Sequence, residues 1–339
     1  MISQTYRLYS PKQIRMDQID EQLDEESIIV RPTYLSICAA DQRYYNGKRD
    51  PKAMKEKLPM ALIHEAAGEV VFDPQNKIEK GTKVVMIPNT PVEKDEVIKE
   101  NYLRSSRFKS SGYDGFMRNI VLIDRKRVIP YAGFSDKIAS FIELLSVTMN
   151  ALEHFDRYSH IKKQVLGVWG DGNLGFVTAL ILNYTFPKAK IVVLGKHPQK
   201  LDYFQFADEV YEIDQIPDDF YVDHAFECVG SYGSEDAINQ IIDYINPEGS
   251  IALMGVSERN VAINTRMILE KGLTLIGNSR SGYDDFYTAI EFIKENKDVE
   301  KYLNTIISDE IVVREIKDMH TAFERDLTND FKTIMKWEV

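Results

Sequence analysis

Residues 167–177 read GVWGDGNLGFV, and three of its glycines, Gly170, Gly172 and Gly175, are set between two different kinds of segment. Before them, QVLGVWG is apolar and short, as a fully buried strand is. After them, NLGFVTALILNYTF is long enough for a helix, and KIVVLG (190–195) is a second apolar strand. A strand, a glycine turn, a helix and a strand within about 30 residues form the setting in which G-x-G-x-x-G binds a dinucleotide. Gly170 would permit the tight turn and Gly172 the close approach of a pyrophosphate. Gly175 would let the helix lie against the strand, and the first turn, Asn173 and Leu174 included, would offer N–H donors to phosphate.

The same alternation continues outward. DEVYEI (208–213), VDHAFECVG (222–230), SEDAINQIIDYIN (234–246) and SIALMGV (250–256) read as strand, strand, helix and strand. Strands that are apolar end to end and alternate with helices specify a parallel sheet covered on both faces. Residues 136–277 are therefore expected to form a doubly wound α/β domain of Rossmann type, entered through the helical pattern DKIASFIELLSVTMNALEHF with Ser135 or Asp136 as its cap. The far end of the dinucleotide is expected over the sheet edge at Cys228, Val229, Gly230 and Gly255, with Cys228 packing against the cofactor. The first 130 residues differ in character. SIIVRPTYL, AAGEVVF, KVVMIP and NIVLID are short strands punctuated by Gly47, Gly81, Gly112 and Gly115. Residues 1–135 are expected to form a β-rich domain, to which 278–339 return with helices near Asp284–Asn296 and Val313–Asp326.

Composition narrows the function. The chain of 339 residues is 44% apolar, and 42 basic against 53 acidic side chains leave a formal charge of −11. That balance argues against a nucleic-acid or anionic-membrane partner. No apolar run has the roughly 18 residues of a membrane span, and the start lacks the apolar stretch of a signal peptide. The two cysteines, Cys38 and Cys228, are too few and too far apart for a disulfide framework, so a reduced, cytoplasmic protein is expected.

The end of the second Rossmann strand selects the cofactor. An NAD site usually places an acid there to bond the ribose hydroxyls. Here the chain reads Gly195, Lys196, His197, with no carboxylate before Asp202. The missing acid and the basic pair point to NADP(H), against the plainer reading of Lys196 as a solvated loop lysine.

In LPMALIHEAAGEVV (58–71) a histidine and a glutamate, His64 and Glu65, interrupt an apolar run. The H-E-x-x-H of a zinc protease is excluded because Gly68 occupies its fifth place. Upstream lie Cys38 and Asp41; downstream, Glu143 stands on an otherwise apolar helix. A thiol, an imidazole and carboxylates in apolar surroundings make a donor set suited to Zn²⁺. Singly, each has a bland alternative: a buried small hydrophobe, a hydrogen-bonded core histidine, a helix glutamate facing a lysine.

In order, CAAD, IHEAAGEVV, EKGTKVV, IELLSVTMNALE and GVWGDGNLG resemble the motifs of the medium-chain, zinc-dependent alcohol and polyol dehydrogenases over nearly the whole length. The resemblance implies a GroES-like catalytic domain beside the Rossmann domain. It also implies one catalytic zinc per chain on Cys38, His64, Glu65 and Glu143, with Asp41 orienting the histidine. Two departures stand out. The glycine before the family's His-Glu is Ile63, and the hydroxyl residue two places after its cysteine is Ala40, leaving water or Tyr44 for the proton relay. The four cysteines of the family's structural zinc are absent, so no structural zinc is expected. Within the family, the resemblance implies NADPH-dependent reduction of D-ribulose 5-phosphate to D-ribitol 5-phosphate for teichoic-acid precursor synthesis. It further implies association with the cytidylyltransferase that consumes the product; separately, a homo-oligomer, a dimer, is expected.

Where the family carries its cysteine lobe, ENYLRSSRFKSSGYDGF offers Arg104, Arg107 and Lys109 for a substrate phosphate, with Arg43 and Arg280 as further candidates; a solvated basic loop is the alternative. Three other functions compete. A metal-free quinone reductase conflicts with the donor set, and an NAD(H)-linked polyol dehydrogenase with the missing acid. A non-catalytic NADPH-binding sensor conflicts with intact metal ligands.

Overall fold

The computed structural model describes residues 1–339, in two compact units, Met1–Ser146 with Arg280–Val339, and Val147–Ser279.

The second unit carries six parallel strands. Across the sheet they run Glu209–Glu212, Lys190–Gly195, Val165–Trp169, His224–Glu227, Ser250–Leu253, Thr274–Gly277. Numbered along the chain this is 3-2-1-4-5-6, the doubly wound order, whose direction reverses beside Val165–Trp169. The alternation read from the sequence is realised, with one shortening: the helix expected over HPQKLDYFQFA covers only Pro198–Leu201. The chain leaves it because Phe204 and Phe206 turn inward onto Phe176, with ring centroids 5.1 Å apart in each pair.

Each glycine of the turn has a distinct physical reason. Gly170 sits at φ +132°, a region that side chains avoid. A Cβ on Gly175 would lie 1.9 Å from the Gly170 carbonyl oxygen, so the helix Asn173–Thr185 meets the turn backbone to backbone. At Gly172 a Cβ would meet nothing within 4 Å, which leaves open room where a ligand would approach.

In the first unit, the larger sheet runs Val128–Pro130, Lys83–Met86, Glu65–Phe72, Ser27–Ser36, Lys332–Trp337, Ile307–Val313, with Val121–Asp124 also pairing with Ser27–Ser36. The tail supplies two of these strands, which the sequence reading missed. Val313 ends a strand rather than opening a helix, and the last helix covers Ile316–Asp326. Ile307–Val313 and Lys332–Trp337 pair in parallel, as a crossover through that helix requires. A smaller sheet joins Gln13–Asp20, Ile2–Ser10 and Met60–Ala61. The helical pattern from Asp136 is divided into Asp136–Ala139, capped by Ser135, and Ile142–Tyr158. Residues 136–146 fall in the first unit, later than the expected boundary after 135, and the return falls at 280 rather than 278.

Because the Gly175 position is closed by backbone, Gly175→Ala should destabilise the second unit by about 1–3 kcal/mol or more, as overpacking does. A lowered midpoint of thermal unfolding checks this, and an unchanged midpoint would contradict it.

Candidate active site

The sheet pairing brings the metal candidates together. Ser36 lies opposite Glu65 in the antiparallel pair, so Cys38, just past that strand, arrives beside His64 and Glu65. Cys38 Sγ stands 3.6 Å from His64 Nε2. One ligand atom from each of Cys38, His64 and Glu65 lies within 4.8 Å of the others. Glu143, in the first turn of Ile142–Tyr158, falls outside that group but feels the charges of His64 and Glu65. Burial raises its carboxyl to about 7, with Glu65 adding to the effect and His64 opposing it. The structure therefore gathers three of the four expected ligands and leaves the fourth at the margin.

Asp41 is close by but acts differently from the expectation. No hydrogen bond joins it to the His64 ring. Its Oδ2 accepts the Cys38 N–H at 3.3 Å and the thiol at 2.9 Å, while the Asp41 N–H donates to Cys38 Sγ, so the pair caps the helix Ala39–Tyr45. Its Oδ1 accepts the Ile63 N–H at 2.9 Å and the Ser110 hydroxyl at 2.8 Å. Asp41 thus ties the cysteine turn to the backbone one residue before His64. That residue, Ile63, holds φ +70°, which explains why glycine suits this position and why isoleucine needs the Asp41 anchor and full burial to stay there.

A residue that sequence reading missed completes the cluster. Lys332, 2% exposed, reaches Glu65 Oε2 at 2.5 Å and donates to the Ile37 carbonyl at 3.3 Å. Burial disfavours its charge, but Glu65, Cys38 and Asp326 together hold its pKa above the ordinary lysine value. Burial, Asp41 and Glu65 push the Cys38 thiol up. Without a cation the cluster favours a protonated thiol. With Zn²⁺, the half-buried thiolate and the buried imidazole and carboxylate would become a matched donor set. The chain's two cysteines cannot build a four-cysteine structural site.

The nucleotide candidates gather in the second unit around a cavity of about 330 Å³, walled by Trp169, Leu194, Ile213 and Val229 and floored by Gly170 and Gly172. Gly195, Lys196, His197 and Cys228 also line it. Cys228 is buried, its thiol pushed up by burial, and its Sγ lies 3.6 Å from Thr178 Oγ1, which fits a packing role. Asn173, Leu174, Gly175, Gly230 and Gly255 do not line the cavity. The N–H groups of Gly230 and Gly255 are already taken by the buried Glu227, which also receives Val229 N–H and Ser234 Oγ–H. Asn173 leaves a buried side-chain oxygen without a partner in the helix's first turn. Asp171, inside the glycine turn, accepts hydrogen bonds from Lys196 and His197.

Residues 24–133 match the alcohol dehydrogenase GroES-like domain and residues 188–295 the zinc-binding dehydrogenase domain. Over 341 aligned residues the chain is 51% identical to the ribulose-5-phosphate reductase of Bacillus spizizenii, with all of both chains covered. The chain belongs to the ribulose-5-phosphate reductase family of zinc-type dehydrogenases. The Streptococcus pneumoniae family member is 49% identical over all of this chain and 98% of its own. The crystal structure of Staphylococcus aureus TarJ in complex with NADPH superposes with a TM-score of 0.89 at 45% identity, with both chains covered completely.

The basic candidates separate by what their side chains touch. Phe108 packs its ring on His64, centroids 5.2 Å apart, and Ser110 bonds Asp41. Arg107 and Lys109 instead reach the Tyr113 and Phe116 rings and line a separate cavity with Thr90 and Asp124. Arg104 is exposed. Arg280, at φ +59°, lays its guanidinium 4.8 Å from the centre of the Phe108 ring, the same ring that packs on His64. Arg43 lies on the Ala39–Tyr45 helix. The Tyr44 hydroxyl is buried without a protein partner, and Arg49 stacks over its ring. No helix is long and apolar enough to cross a membrane.

Lys332→Met should leave Glu65 charged and unpaired in the interior, costing about 3–5 kcal/mol in metal-free protein. Adding Glu65→Gln should restore most of that loss. Denaturant titration of the chelated proteins checks both, and a single variant as stable as the parent would refute the pairing.

Proposed function

We propose that this chain catalyses the NADPH-dependent, zinc-assisted reduction of D-ribulose 5-phosphate to D-ribitol 5-phosphate, supplying teichoic-acid precursor in the cytoplasm. The observation that carries this reading is the 51% identity to a ribulose-5-phosphate reductase across both full lengths. The clustered Cys38, His64 and Glu65 support it. A homo-dimer, and association with the cytidylyltransferase that would consume ribitol 5-phosphate, belong to the same proposal.

When bound, NADPH supplies the hydride and a zinc ion on Cys38, His64 and Glu65 supplies Lewis acidity to the carbonyl oxygen. The remaining work falls to the chain. Asp41 fixes the cysteine turn against the strained backbone before His64, so two ligands from separate segments keep one spacing. Lys332 balances the Glu65 charge and keeps that carboxylate directed inward. Phe108 shields one side of His64 from water and supports Arg280. Arg280 has no carboxylate partner, and burial pulls its pKa below the usual arginine value. Such a guanidinium suits an anionic substrate group. It stands within about 10 Å of the His64 ring, the most that the two ring contacts together allow. A pentulose phosphate has five bonds from carbonyl carbon to phosphorus, at most about 7.5 Å at about 1.5 Å each, which falls within that limit.

The test is NADPH oxidation by the purified chain with D-ribulose 5-phosphate, D-ribulose and other sugar phosphates. Turnover specific to ribulose 5-phosphate is expected; turnover of another sugar phosphate with none of this one would overturn the reading. Cys38→Ala or His64→Ala should lower bound zinc from about one per chain to nearly none and abolish turnover, with NADPH affinity kept; zinc content by mass spectrometry reads this without activity. Arg280→Gln should raise KM for ribulose 5-phosphate by about tenfold or more, the loss expected for a hydrogen bond to a charged group. An unchanged KM would place the phosphate elsewhere.

A further inference from the structure

The strand Lys190–Gly195 ends in a glycine where an acid would serve NAD, and the space beside that glycine is filled from another part of the chain. A Cβ on Gly195 would lie 2.7 Å from Asp171 Cβ and 2.9 Å from its Oδ2. Glycine is needed there because the side chain of Asp171, from the phosphate-binding turn, crosses over it. Once across, a single carboxylate oxygen, Oδ2, accepts three hydrogen bonds: Lys196 N–H at 2.6 Å, His197 N–H at 2.7 Å and His197 Nδ1–H at 2.9 Å.

We propose that Asp171 is the positioning residue for recognition of the cofactor's 2′-phosphate, holding the 196–197 turn so that Lys196 and His197 face that group. The inference rests on the NADPH reading above. A bare carboxylate at this place would do the reverse, since it would repel a phosphate and favour a ribose hydroxyl. Here three donors offset its charge, and it is only 13% exposed whereas His197 is 49% exposed. The bond from Nδ1 fixes the plane of the imidazole and leaves Nε2, which has no protein partner, for a second acceptor. The Lys196 ammonium makes no ion pair within the chain, and both residues line the cavity beside Gly170 and Gly172. The glycine turn and the basic turn are thus one unit joined through Asp171, and a dinucleotide lying on the first finds the second already oriented. Preorganised donors of this kind gain affinity because little order is lost on binding.

The experiment measures dissociation constants by quenching of tryptophan fluorescence, with Trp169 in the cavity wall as reporter. The probes are NADPH, NADH and 2′,5′-ADP. The parent chain should prefer NADPH. Asp171→Ala should weaken NADPH and 2′,5′-ADP by about tenfold or more while NADH stays within about twofold, because the hydrogen bonds affected are those to the charged group. Asp171→Asn, whose amide oxygen still accepts the two main-chain N–H groups, should recover part of the loss. Gly195→Ala, whose methyl would displace the carboxylate, should reproduce the selective loss. A merely structural role would weaken both dinucleotides alike and would refute the inference. So would an Asp171→Ala variant that binds NADPH as tightly as the parent or more so. A parent chain indifferent between NADPH and NADH would instead overturn the cofactor assignment itself.

Discussion

A lysine ammonium and a glutamate carboxylate in contact, both nearly shut off from water, are the interaction on which the architecture of the Cys38–His64–Glu65 cluster depends. Removing two charges from water costs several kcal/mol per ion, and their attraction offsets this only where the geometry is good and other polar groups complete the shell. Here the geometry is set by three neighbouring strands. Lys332 opens the strand Lys332–Trp337, whose partner Ser27–Ser36 pairs in turn with Glu65–Phe72. The ammonium therefore arrives beside Glu65 through sheet register, and the Ile37 carbonyl takes a further share of its hydrogen bonding.

The same region stores conformational strain. Ile63 is held in the left-handed region immediately before His64, a conformation that β-branched residues avoid. Complete burial of its side chain and the hydrogen bond from its N–H to Asp41 are what oppose relaxation. Asp41 in turn depends on the helix it caps with Cys38. Cysteine, aspartate and the left-handed residue form one mechanical unit, so the spacing of thiol and imidazole is an outcome of backbone constraint as much as of ligand chemistry. A donor set held this way suits a cation that needs a fixed tetrahedral arrangement.

The nucleotide unit was legible from sequence in unusual detail, because each of its signals is local. Gly170, Gly172 and Gly175 lie within one turn of chain, and apolar strands alternating with helices report a two-sided sheet directly. What escaped was the connection between turns. Asp171 looked like an ordinary residue inside the glycine motif, and Gly195 looked like a missing acid, whereas in the fold each explains the other. Gly230 and Gly255, expected at the cofactor, give their N–H groups to Glu227, a buried strand-end carboxylate that no spacing rule singles out. The basic residues show the same limit. Arg107 and Lys109 stand out by density, but they pack toward Tyr113 and Phe116, and the uncharged Phe108 between them is the one whose ring meets His64.

The amino-acid sequence by itself determined the fold class, the glycine turn, the candidate donor side chains and the lack of a four-cysteine set, since these depend on residue type and on periodicities a few residues long. Only the tertiary structure decided which donors meet, that Lys332 stands against Glu65 from 267 positions away, and that the Phe108 ring packed on His64 also carries the Arg280 guanidinium. The physical reason is that charge pairing and ligand convergence act through space over a few ångströms, and distances of that kind between remote segments are set by strand register and backbone strain, which leave no repeating pattern along the chain.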